Sequence, residues 1–96
     1  MLKLPTYQIK DEQLNKLLDL GIYNCDRYVE AFEIFETKYC IFVDVTTYTS
    51  VNEILGFNFS LKSWMFPPIQ LGEFQSKEEG QSVALDKMIE IVSQIK

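Results

Sequence analysis

A chain of 96 residues, 47% of them hydrophobic and 24% charged, has the composition of one folded domain, 1–96, with a modest core, and excludes disorder across its bulk. The formal net charge is −5, and the 9 basic residues stand singly among 14 acidic ones, which excludes a polybasic grip on nucleic acid or anionic lipid. No apolar run approaches the roughly 20 residues that cross a bilayer, and Met1-Leu2-Lys3-Leu4-Pro5 lacks the apolar centre of a signal peptide, so the expected location is cytoplasmic, away from membranes.

Residues 1–9 read as an extended lead that Pro5 confines to an edge strand or a loop. Asp11 follows as an N-cap, and Leu14, Leu17 and Leu18 recur at helical spacing before Gly21, predicting a short helix over about 12–20. A stripe this short needs tertiary packing to persist.

Tyr28 to Thr46 reads as two strands folded back at Glu36-Thr37-Lys38-Tyr39. The second, Tyr39-Cys40-Ile41-Phe42-Val43-Asp44-Val45, is dominated by β-branched and aromatic residues and contains no Gly or Pro. The first alternates imperfectly: Tyr28, Glu30, Phe32 and Ile34 fall on one face, Val29, Ala31, Glu33 and Phe35 on the other. Cys25, Tyr28, Val29, Phe32 and Phe35 also satisfy helical spacing, so a helix is the competing reading.

Thr46 to Gly56 is ambiguous between a longer strand and one helical turn with Ser50 and Glu53 in capping-box spacing. Phe57, Phe59 and Leu61 alternate with Asn58, Ser60 and Lys62, the pattern of a strand with one dry face. Trp64 to Phe74 holds Pro67 and Pro68 and reads as an apolar loop. Ser76 and Glu79 mark a helix start, and Val83, Ala84, Met88, Ile91, Val92 and Ile95, widened by Leu85 and Ile89, carry the helix to about 94. Gly80 is a blemish in it, worth about 1 kcal/mol against alanine.

The expected fold is therefore α+β: a three-stranded antiparallel sheet with a short N-terminal helix and a long C-terminal helix packed on one face, in the order α-β-β-β-α. Double-stranded RNA-binding domains share this order. That is an analogy of fold only, since Lys77, Glu78 and Glu79 stand where basic residues would hold phosphates.

Cys25 and Cys40 would lie roughly 30 Å apart on the hairpin at about 3.3 Å per residue, so no disulfide is expected and both read as small buried hydrophobes. The chain has no histidine, which removes the usual general base, the commonest metal ligand and any Ser-His or Cys-His pair. No catalytic, cofactor-binding or metal-binding residue is assigned, and an enzyme is not expected. Glu30 with Asp44 and Glu33 with Glu36 are conceivable carboxylate pairs, but they read as solvated surface. Asp11-Glu12 and Glu78-Glu79 read as partners of helix dipoles.

What remains is binding. Trp64, Met65, Phe66, Pro67, Pro68 and Ile69 make a proline-braced apolar loop of the composition that dominates interface hot spots. Tyr28, Tyr39 and Tyr48 are expected beside it on an exposed sheet face. The aromatic content, seven Phe, five Tyr and one Trp, exceeds what so small a core hides, which points to a homodimer or a complex with another protein. The first expectation is a small acidic, non-catalytic, cytoplasmic protein-binding module. The alternative is an acidic inhibitor or nucleic-acid mimic, of the sort found among accessory proteins of mobile elements or phages, in which Asp11, Glu12, Asp19, Asp26, Glu30, Glu33 and Glu36 occupy a partner's basic groove.

Overall fold

The computed structural model describes residues 7–95, the Tyr48 side chain excepted. The expected lead thus lies outside the described residues up to residue 6. Beyond it, Gln8 bridges Arg27 in antiparallel fashion, the Ile9 amide donates to the Asp26 carbonyl (2.8 Å), and Ile9 is buried.

Six elements follow: α1 (Asp11–Asp19), α2 (Tyr28–Tyr39), β1 (Phe42–Thr49), β2 (Ile54–Ser63), β3 (Phe66–Phe74) and α3 (Lys77–Ile95). Helix α1 begins at Asp11 with Lys10 as N-cap, so Asp11 supplies first-turn charge, beside Glu12, rather than a cap. Its far end is a Schellman closure. Gly21 takes φ +82°, its amide donates to the Leu18 carbonyl and that of Ile22 to Leu17, both at 2.9 Å, while Ile22 and Leu17 bury together. The buried stripe is Gln13, Leu17 and Leu20; Leu18, expected inside, is half exposed.

Residues 28–39 are helical, which overturns the hairpin and selects the competing reading. Tyr28, Ala31 and Phe35 are fully buried, and Phe32 and Tyr39 pack partly against the core beside them. A helix gathers these side chains onto one stripe, whereas a strand leaves a glutamate on each face. The Asp26 and Arg27 amides donate to Glu30 Oε1 (3.1 and 3.2 Å), closing the helix start. Ring pairs one turn apart, Tyr28 with Phe32 and Phe35 with Tyr39 (6.3 and 5.6 Å between centroids), run along it. The supposed turn at 36–39 is the last helical turn. It ends at Cys40 in the left-handed conformation, with the Ile41 amide returned to the Phe35 carbonyl (3.3 Å).

The sheet is antiparallel in the order β1-β2-β3. The threonine run extends β1, and no helical turn forms at 50–56: the Ser50 amide donates to the Glu53 carbonyl (2.9 Å) and Ile54 opens β2. Val43 pairs with Leu61, Val45 with Phe59 and Thr47 with Phe57, setting these six side chains on one face. Phe59 and Leu61 are buried as expected; Phe57 is half-buried, with the Lys77 ammonium 5.5 Å from its ring centroid. The apolar stretch read as a loop supplies the third strand, β3. Its two prolines are tolerated because β3 is an edge, bonded among the described residues only to β2, with register irregularities at Phe59/Ser60 and Leu61/Ser63.

Helix α3 starts as expected, the Glu79 amide donating to Ser76 Oγ (3.2 Å). It lies across β2 and β3 and against α1 and α2. Ala84, Leu85, Met88, Ile89 and Val92 bury into the single core cluster, while Ile95 is exposed. Gly80 is not a blemish: a Cβ there would collide with the Phe59 ring, so the close crossing of α3 over β2 requires glycine.

One buried polar joint ties the three helices. Gln13 Nε2 donates to the Ser82 carbonyl and to Asp86 Oδ1 (2.9 Å each), and Gln13 Oε1 accepts from the Tyr28 hydroxyl (2.7 Å). Every bond closes over 15 residues or more of chain, which makes it a tertiary lock rather than a local cap.

Candidate protein-binding surface

Antiparallel pairing of β2 with β3 leaves only Trp64 and Met65 as the turn between them, stiffened by the Met65 amide donating to Ser63 Oγ (3.2 Å). Trp64 is 82% exposed at this tip and Met65 is also exposed. Pro67 and Pro68 are exposed on the adjoining edge, while Phe66 and Ile69 are half-buried and pack against the core. The six loop residues therefore divide: four face outward and two hold the strand down. Phe42, one residue pair away through Lys62, adds an exposed ring at the same end of the sheet. Its place there depends on register, which the sequence pattern does not reveal.

The three tyrosines do not form a sheet face. Tyr28 is completely buried on α2, its hydroxyl spent on Gln13. Tyr39, also on α2, is half-buried; the Lys38 ammonium lies 5.6 Å from its ring centroid, and its hydroxyl is buried without a partner. The Tyr48 side chain lies outside the described residues, and its backbone pairs with Gly56 in β1. At the opposite end of the sheet Val51, Ile54 and Leu55 are exposed, a patch hidden from sequence reading by the supposed helical turn.

Neither carboxylate pair assembles into a reactive group. Glu30 caps α2, and the amide bonds from Asp26, then from Arg27, hold its carboxyl below the usual glutamate range. Asp44 pairs with Lys62 (3.0 Å), and Glu33 and Glu36 face solvent. Among the described residues no three His, Cys, Asp or Glu side chains gather as metal ligands do. An open cleft of about 500 Å³ beside the start of α3 is lined by Lys10, Glu78, Glu79, Ser82 and Asp86, among others, away from the Trp64 tip. The two cysteines are free. Cys25 is only half-buried and Cys40 is exposed, not the buried pair expected, because Cys40 caps the end of α2 rather than lying within the strand read over 39–45. Burial first, then Glu30 and Asp26, push the Cys25 thiol upward.

The fold is α+β: among the described residues, α3 packs on β2 and β3 of a three-stranded antiparallel sheet, and α1 and α2 pack against α3. No family model matches the chain, and neither does any curated protein or solved structure compared with it. No helix among the described residues is long and apolar enough to cross a membrane.

Proposed function

We propose that the chain is a non-catalytic, cytoplasmic protein-binding module that engages another protein through Trp64, Met65, Pro67 and Pro68, with Phe42 at the rim. The observation that carries this reading is a tryptophan 82% exposed on a two-residue turn. The tight turn already fixes the backbone that carries the ring, so little backbone entropy is lost on contact. Covering the 82% of this side chain that is exposed, out of about 200 Å² and at about 25 cal/mol per Å², contributes roughly 4 kcal/mol. Two free thiols in so small a chain suit a reducing compartment.

The test compares wild type with Trp64→Ala as bait in the native host, followed by titration of the purified partner. Loss of at least 2 kcal/mol, about a thirtyfold rise in Kd, is expected. Equal affinity of the two baits rejects the reading. Phe66 is unsuited to this test, because its contact with the core mixes binding with stability.

The acidic-mimic reading keeps one supporting observation: Asp11, Glu12, Asp19, Asp26, Glu30, Glu33 and Glu36 are all exposed. It requires binding that weakens steeply with salt. Salt-insensitive binding that depends on Trp64 separates the two.

A further inference from the structure

The two edges of the sheet are built differently. β3 presents Pro67 and Pro68, which have no N–H to donate, and its register is broken twice. β1 runs eight residues, Phe-Val-Asp-Val-Thr-Thr-Tyr-Thr, with no proline and one charge, and among the described residues no strand pairs with its outer edge. We propose that β1 pairs with β1 of a second copy, antiparallel about a two-fold axis at Val45, joining two three-stranded sheets into one of six.

Three observations favour a second copy as the occupant. The chain carries a net charge of −5, yet the only charge in β1, Asp44, is neutralised by Lys62 at 3.0 Å, so two acidic copies meet here without opposing net charge. Centring on Val45 sets Asp44 opposite Thr46 and Val43 opposite Thr47, which keeps Asp44 off its own copy and aligns β-branched residues across the junction. Val45 points to the same face as the buried Phe59 but is 41% exposed, since α3 packs chiefly on β2 and β3 and the contact of α2 with β1 does not cover it. The two-fold axis brings the two uncovered Val45 side chains together between the helical layers of both copies. This surface is separate from the Trp64 tip.

Sedimentation equilibrium on the full chain tests it. Wild type is expected at twice 11.2 kDa. Val45→Lys sets like charges opposite one another and raises the dimer's dissociation constant by roughly tenfold or more. Mixing Val45→Lys with Val45→Glu restores the doubled mass, and Trp64→Ala leaves it unchanged. A monomeric wild type, a Val45→Lys dimer of undiminished affinity, a Lys/Glu mixture that stays monomeric, or a dimer lost on Trp64→Ala each overturns the proposal. Amide hydrogen exchange on wild type gives a second measurement that needs no variant. Protection of β1 amides should rise with protein concentration, and protection independent of concentration overturns the proposal as well.

Discussion

Gly80→Ala gives the sharpest test of the packing that holds β2 and β3, and so the Trp64 turn between them, against α3. In an exposed helix interior the substitution stabilises by about 1 kcal/mol. Here the new Cβ would fall on three atoms of the Phe59 ring, 2.6 Å from Cζ, where carbon contacts normally sit about 3.5 to 4.0 Å apart. The ring cannot swing away, being fully buried with Phe74 edge-on at 5.8 Å between centroids. Overpacking at the upper end of its usual range, about 3 kcal/mol, outweighs the helical gain and leaves a net loss of about 2 kcal/mol. That loss lowers Tm by about 10 °C for a domain of this size. Thermal and urea unfolding followed by circular dichroism measure it, and a double-mutant cycle with Phe59→Ala assigns it. Phe59→Ala alone costs about 3 to 5 kcal/mol; on that background Gly80→Ala should become stabilising, a coupling of about 3 kcal/mol. A Tm raised by Gly80→Ala in the native background, or an equal effect in both backgrounds, would refute the crossing of α3 over β2 at Phe59.

Tyr28→Phe strands Gln13 Oε1 in the core and should cost about 1 to 3 kcal/mol, read from urea midpoints at unchanged slope; a neutral effect contradicts the three-helix joint. Glu30 has a depressed carboxyl pKa in the folded state, so its stabilisation is present above the unfolded glutamate pKa and is lost as pH falls through the folded value. Melting curves of wild type and Glu30→Gln should therefore converge in acid and separate towards neutral pH, and a constant gap argues against the cap. Maleimide labelling should modify the exposed Cys40 before the half-buried Cys25, whose thiol is pushed upward; the reverse order contradicts the helix end at Cys40.

Signals contained within one turn or one strand were legible. Gly21 closed α1, Ser76 opened α3, and the alternation of Phe57, Phe59 and Leu61 marked β2 with the correct dry face. Residues 28–39 are ambiguous in the sequence because apolar side chains are so dense there that periods of two and 3.6 both fit, and Glu30 reveals its capping role only once the helix exists. Prolines at 67 and 68 suggested a loop because their place on a sheet edge depends on topology. The strand reading sets Tyr28 on an exposed sheet face and gives Gln13 no role, whereas the bond between them and those from Gln13 to Ser82 and Asp86 far along the chain exist only in the folded helices. Trp64 keeps its place just past the end of β2 whether an apolar loop or a turn into β3 follows.

Trp64 is the single tryptophan of the chain, so its fluorescence reports on the proposed contact without any label. In the isolated protein the emission should be that of a water-exposed indole, readily quenched by acrylamide. Titration with the captured partner should shift it to the blue and suppress quenching in step with saturation. Saturated binding that leaves both the emission and the quenching unchanged would contradict a docking surface at Trp64.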